Sequence, residues 1–68
     1  MKWGSTIKGV RKDNDLNMED FGLMIGVTTG YISLLERDMR QPSVALITEI
    51  ERLFGIQFEV LRRLKRSS

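Results

Sequence analysis

The sequence predicts an all-α domain made of five short helices, and three observations carry that expectation. Apolar residues recur three and four positions apart, without the sustained alternation that a half-buried strand needs. Ser, Thr or Asn stands ahead of the apolar runs, where a side-chain oxygen can accept from the first free helix amides. Gly, or a cluster of Asp and Asn, follows several of the runs and tolerates the left-handed backbone of a helix end.

Taken in order, Ile7, Val10 and Arg11 lie at helical spacing behind Ser5 and Thr6, either of which can cap. Trp3 falls four residues before Ile7, so it either extends that face or packs beneath it. The polar run Asp13-Asn14-Asp15 should end the first helix. Asn17 is a good cap for the second. Glu19 and Asp20 follow it, where the helix dipole favours negative charge. Phe21, Met24 and Ile25 mark its apolar face, and Gly26 closes it. Thr28 caps the third helix, with Tyr31, Ile32 and Leu35 along one side. Asp38-Met39-Arg40-Gln41 reads as a loop, and Pro42 blocks continuation. Ser43 caps the fourth helix, whose buried face is Leu46, Ile47, Ile50, Leu53 and Phe54, closed by Gly55. A fifth helix is expected from about Phe58 into the basic tail, with Ile56, Phe58 and Leu61 inward.

Composition narrows the function. With 68 residues the expectation is a single domain over 1–68, with its core over 5–65. A domain this small buries only ~60% of its unfolded surface. The chain has neither Cys nor His, so disulfides and the usual zinc sites are excluded. Stability must come from packed helices, with dimerisation as a further source. The longest uncharged stretch, Phe21 to Leu35, is too short and too polar to span a bilayer. No secretory leader pattern is visible, so a cytoplasmic protein is expected. An enzyme is not expected: there is no His or Cys nucleophile or base, and no Gly-rich phosphate loop. No cofactor, metal or small-molecule ligand is called for.

Net charge is only +2, but its distribution is uneven. Acidic groups gather in Asp13 to Asp20 and at Glu49 and Glu51. Basic groups gather at Arg37 and Arg40 and again from Arg62 to Arg66. A modestly charged domain can bind DNA if its cations face the phosphates.

The segment Met18 to Arg37 is the informative one. Two short helices meet at the three-residue turn Gly26-Val27-Thr28, with Gly22 four residues before Gly26 and Ile32 six after it. Two closely crossed helices need a small residue at the contact and a turn residue free to take positive φ. The second helix must then set a branched apolar residue against the first, leaving its other face free for a groove.

Residues 7 to 61 resemble the Xre/Cro/lambda-repressor-like helix-turn-helix family. The likeness rests on Ile7-Lys8-Gly9-Val10-Arg11, Leu16 to Gly22, Ile25-Gly26-Val27-Thr28, Tyr31 to Arg37 and Arg40-Gln41-Pro42-Ser43, in order and at nearly gapless spacing. It implies a five-helix DNA-binding domain, with the helix-turn-helix at helices two and three, acting as a transcriptional repressor. Carried over by position, Thr28 would cap the recognition helix and touch phosphate, and Thr29, Gly30, Ser33 and Leu34 would face double-stranded DNA. Asn17 would lie on a phosphate, and Arg37, Arg40 and Gln41 would clamp the next ones. Arg11 and Glu36 match a partly buried ion pair between helices one and three. Independently of the family, a Glu between Leu35 and Arg37 beside a core face needs a partner, and Arg11 is the candidate.

The likeness departs at Met18, where relatives often carry a phosphate-binding Gln, and at Gly22, where they often carry Ala. Thr29, Gly30 and Leu34 offer no long polar side chain for bidentate base contact, although Thr29 can bond a base edge and Leu34 can meet a thymine methyl. Leu34 read without the family is a scattered surface Leu. Val60 and Leu64, four apart on helix five, suggest a homodimer seam; the alternative is that this helix is buried more fully. The competing function is a protein-binding module on the same fold, such as an antirepressor, co-regulator or antitoxin component, with a regulatory protein as its partner.

Overall fold

The computed structural model describes residues 3–58, and among these it forms four helices and no strand. They are α1 (Gly4–Asp13), α2 (Met18–Ile25), α3 (Thr29–Glu36) and α4 (Val44–Phe54). The expected fifth helix, with Val60, Leu64 and the Arg62 to Arg66 run, lies outside the described residues, among which the first four expected helices are found.

The caps show why the chain breaks where it does. Asn17, Thr28 and Ser43 each precede a helix in extended backbone, and each side chain accepts the amide three residues on, at 2.7, 3.1 and 3.0 Å. This satisfies one of the four free donors that every helix start exposes. α1 differs from expectation. It begins at Gly4, ahead of Ser5 and Thr6, and Trp3 at its cap position contributes no side-chain bond. The missing acceptor comes from a distant loop: Asp38 Oδ1 accepts the Gly4 amide at 2.9 Å.

Two helix ends are closed by aspartates. Asp15, at φ 54°, sends its amide to the Lys12 carbonyl while Leu16 bonds back to Arg11. Asp38, at φ 60°, repeats the pattern at the end of α3, bonding Leu35 while Met39 bonds Leu34. Both are the paired bonds of a Schellman closure, built on a residue type that visits the left-handed region at modest cost. α2 ends on Gly26 at φ 78°, where a side chain would be strained.

The core is Trp3, Ile7, Phe21, Ile25, Ile32, Leu35, Ile47 and Ile50, drawn from all four helices and the residue preceding α1. Burying a side chain such as Ile32 or Phe21 contributes about 1.5–3 kcal/mol each. Trp3 meets Phe58 edge to face, with centroids 5.2 Å apart, so the segment after α4 closes over the start of α1. Leu46, Leu53 and Phe54 are only partly buried, and Met24, expected on the inner face of α2, is exposed. An eight-residue helix has a narrow inward stripe, and Phe21 and Ile25 already fill it.

Candidate nucleic-acid interface

α2 and α3 meet at the turn Gly26-Val27-Thr28, and Gly22 of α2 lies hard against that turn. A β-carbon on Gly22 would stand 2.5 Å from the Val27 carbonyl oxygen, well inside any real contact. The absence of a side chain there sets how tightly the turn folds back. Val27 in turn donates its amide to the Gly22 carbonyl at 2.9 Å.

α3 is fixed from behind by Ile32 and Leu35, both fully buried. Its opposite side is open. Thr28, Thr29 and Gly30 are exposed, while Ser33 and Leu34 are half-buried. The Thr28 hydroxyl oxygen is engaged in the cap, which leaves its proton to donate outward. Nothing in the packing demands a glycine at position 30: the nearest atom to a β-carbon there is Thr28 Oγ1, at 4.0 Å. Tyr31 is half-buried against the core and lines an open apolar groove of about 580 Å³ with Ile25, Val27 and Leu46. Its place is packing, as its spacing suggests.

Arg37, Arg40 and Gln41 are all exposed around the end of α3 and the loop beyond it. The Arg37 Nε–H donates to the Ser33 carbonyl at 3.3 Å, which lays the side chain back along α3. Arg40 makes no ion pair among the described residues. Asn17 is exposed at the start of α2, but its oxygen serves the cap, so only its amide NH2 remains for a partner. Glu19 and Asp20 share that first turn and are exposed. Their charge suits the helix dipole and reduces the pull of this helix end on a phosphate. The possible dimer contacts Val60 and Leu64 lie outside the described residues.

The orientation of α3 is locked by the Arg11–Glu36 pair. Arg11 Nε donates to Glu36 Oε2 at 2.7 Å and Nη2 to Oε1 at 3.0 Å, a two-pronged match of guanidinium and carboxylate. Arg11 Nη1 donates to the Leu16 carbonyl at 3.0 Å, tying the α1–α2 loop into the same knot. The hydrogen bond from Arg11 to Glu36 raises the guanidinium pKa above its ordinary value. Burial pulls the other way, and the charge of the same carboxylate adds to the rise.

Local pattern gives Asp38 only a place in a loop. Its partner Gly4 is 34 residues away, and no short-range signal marks such a bond.

A short helix anchored on its inner face, turned sharply against a second helix and open on its outer face, defines a helix-turn-helix protein. A helix-turn-helix family model matches residues 7–61, and the chain belongs to that family, the Xre/Cro/cI-like group of DNA-binding transcription regulators. A search of curated proteins found no match, and neither did a search of solved structures. No helix among the described residues is long and apolar enough to cross a membrane.

Proposed function

We propose that this chain is a cytoplasmic transcriptional repressor that reads double-stranded DNA by laying α3 in the major groove. The observation that carries the reading is the two-sidedness of α3. Ile32 and Leu35 hold it in the core, while Thr28, Thr29 and Gly30 stand outward beside the exposed cations Arg37 and Arg40. Thr29 reads a base edge, Leu34 and Ser33 border the same groove, and Gly30 lets the backbone approach closely. Thr28, Asn17, Arg37, Arg40 and Gln41 hold the flanking phosphates. The working unit is a homodimer, with half-sites one helical turn apart, ~34 Å.

A protein-binding module on the same fold is the second reading. It is favoured by the short side chains at Thr29 and Gly30 and by Leu23, which is 75% exposed on α2. Selection from random duplexes with the purified protein decides between them. An enriched half-site supports the repressor, and no enrichment at low salt supports the module. On the selected duplex, Arg40→Ala weakens binding about equally across sequences, whereas Thr29→Ala changes which sequence is preferred. The reverse pattern would mean that the docking register is wrong.

A further inference from the structure

We infer that Asp38 is a positioning residue for DNA binding, a clasp that holds the loop bearing Arg40 and Gln41 in the posture from which it meets phosphates. This rests on the DNA-binding reading above.

The clasp has two halves. In one, the Asp38 backbone closes α3: it takes φ 60°, its amide bonds the Leu35 carbonyl at 3.1 Å, and the Met39 amide bonds Leu34 at 2.9 Å. In the other, the Asp38 carboxylate accepts the Gly4 amide at 2.9 Å, at the start of α1, where Trp3 supplies no side-chain cap. Gly4 is packed so closely that a β-carbon would stand 2.5 Å from the Glu36 carbonyl oxygen and 2.8 Å from Asp38 Oδ1. One residue therefore ends α3, caps α1 and sits at the point where the two meet.

The mechanical effect reaches the loop beyond Asp38. Only Met39, Arg40, Gln41 and Pro42 separate it from Ser43, which caps α4. Pro42 fixes its own φ near about −65°. A four-residue segment tied at both ends has few postures, so Arg40 and Gln41 are presented with little freedom left to lose on binding. Without the side-chain half of the clasp, the start of the loop is tethered through α3 alone.

Electrostatics alone predicts the opposite effect on affinity. A carboxylate beside phosphate-binding cations repels DNA, so removing its charge should tighten binding. Asp38→Gly and Asp38→Asn remove the same charge and both tolerate the left-handed backbone. They differ in that Asn keeps an oxygen to accept from Gly4.

The test is a salt titration of binding to one selected duplex by the full chain, its Asp38→Gly and Asp38→Asn variants, and Arg40→Ala alone and combined with Asp38→Gly. Circular dichroism first fixes a temperature at which all are folded. Asp38→Gly is expected to reduce the log–log salt slope by about 0.9 per protomer, as for one lost phosphate contact. With the affinity extrapolated to about 1 M salt unchanged, that slope corresponds to about fivefold weaker binding at about 0.15 M per protomer, or about thirtyfold for a dimer on two half-sites. Asp38→Asn should bind at least as tightly as the parent. Arg40→Ala should add little on top of Asp38→Gly.

A parent that binds while Asp38→Gly matches or exceeds it, with an unchanged slope, overturns the clasp alone. So does an Asn variant as impaired as Gly. A parent that binds no duplex at about 0.05 M salt overturns the DNA reading, and the role of Asp38 with it.

Discussion

Removing Glu36 tests how α3 is held. In Glu36→Gln the amide keeps the shape of the carboxylate and one acceptor, but the charge that meets both Arg11 Nε and Nη2 is gone. Exposure decides the magnitude. A surface ion pair contributes only about 0.2–1 kcal/mol. This one has 11% of the Arg11 side chain and 4% of the Glu36 side chain accessible. Breaking one side of a buried pair costs roughly 3–5 kcal/mol. The slight access to solvent and the remaining Leu16 contact place Glu36→Gln near the lower end, about 3 kcal/mol. A domain of this length has about 3–10 kcal/mol of total stability, so the variant stands at the margin of folding. The melting temperature should fall by about 12–24 °C, at about 4–8 °C per kcal/mol.

The assay is urea denaturation followed by circular dichroism, run as a double-mutant cycle with Arg11→Met. The double variant Arg11→Met/Glu36→Gln should lose much less than the sum of its parts, because neither charge is then left stranded. The raised guanidinium pKa fixes the alkaline behaviour. Stability from Arg11 is fully present below its unfolded-state value and is lost only as pH climbs through the raised folded value. The coupling energy should therefore be the same at about pH 7 and about pH 10. Single variants costing under about 1 kcal/mol, with coupling under about 0.5, would refute the view that this pair locks α3.

Two glycines give predictions of opposite sign. Gly22→Val should lower stability by about 1–3 kcal/mol in thermal unfolding, because its β-carbon meets the Val27 carbonyl across the turn; an unchanged melting temperature would mean the two helices do not cross as closely as described. Gly30→Ala meets nothing closer than Thr28 Oγ1 at 4.0 Å and should stabilise the fold by roughly 0.5–1 kcal/mol while weakening duplex binding. Equal binding by that variant would move the DNA away from the start of α3.

The fold was largely legible in the sequence, because its signals are local. Asn17, Thr28 and Ser43 announce helix starts through a bond to the amide three residues on, and Gly26 announces a turn through the only backbone it relieves. The Arg11–Glu36 pair was legible for another reason: a charge flanked by core residues needs a partner, and few were on offer. What escaped was long-range. Ser5 and Thr6 suggest a later start for α1 than Gly4, because the acceptor for its first amide comes from Asp38, far along the chain. Periodicity puts Met24 inward, yet it is exposed, because periodicity cannot say how wide a stripe the neighbouring helices cover. The exposure of Thr29 and Gly30 follows once Ile32 and Leu35 are assigned to the core, since the helix period then fixes the other face, whereas Arg40 and Gln41 are exposed because they stand in the loop beyond it.

The most direct test of the DNA-binding account is the salt dependence of duplex affinity for the unaltered protein. If Arg37 and Arg40 are the cations that each protomer sets on the backbone, as proposed, the log–log slope should be about −2 per protomer, or about −4 for a dimer on two half-sites. A slope near zero, or no binding at low salt by a folded protein, would contradict it.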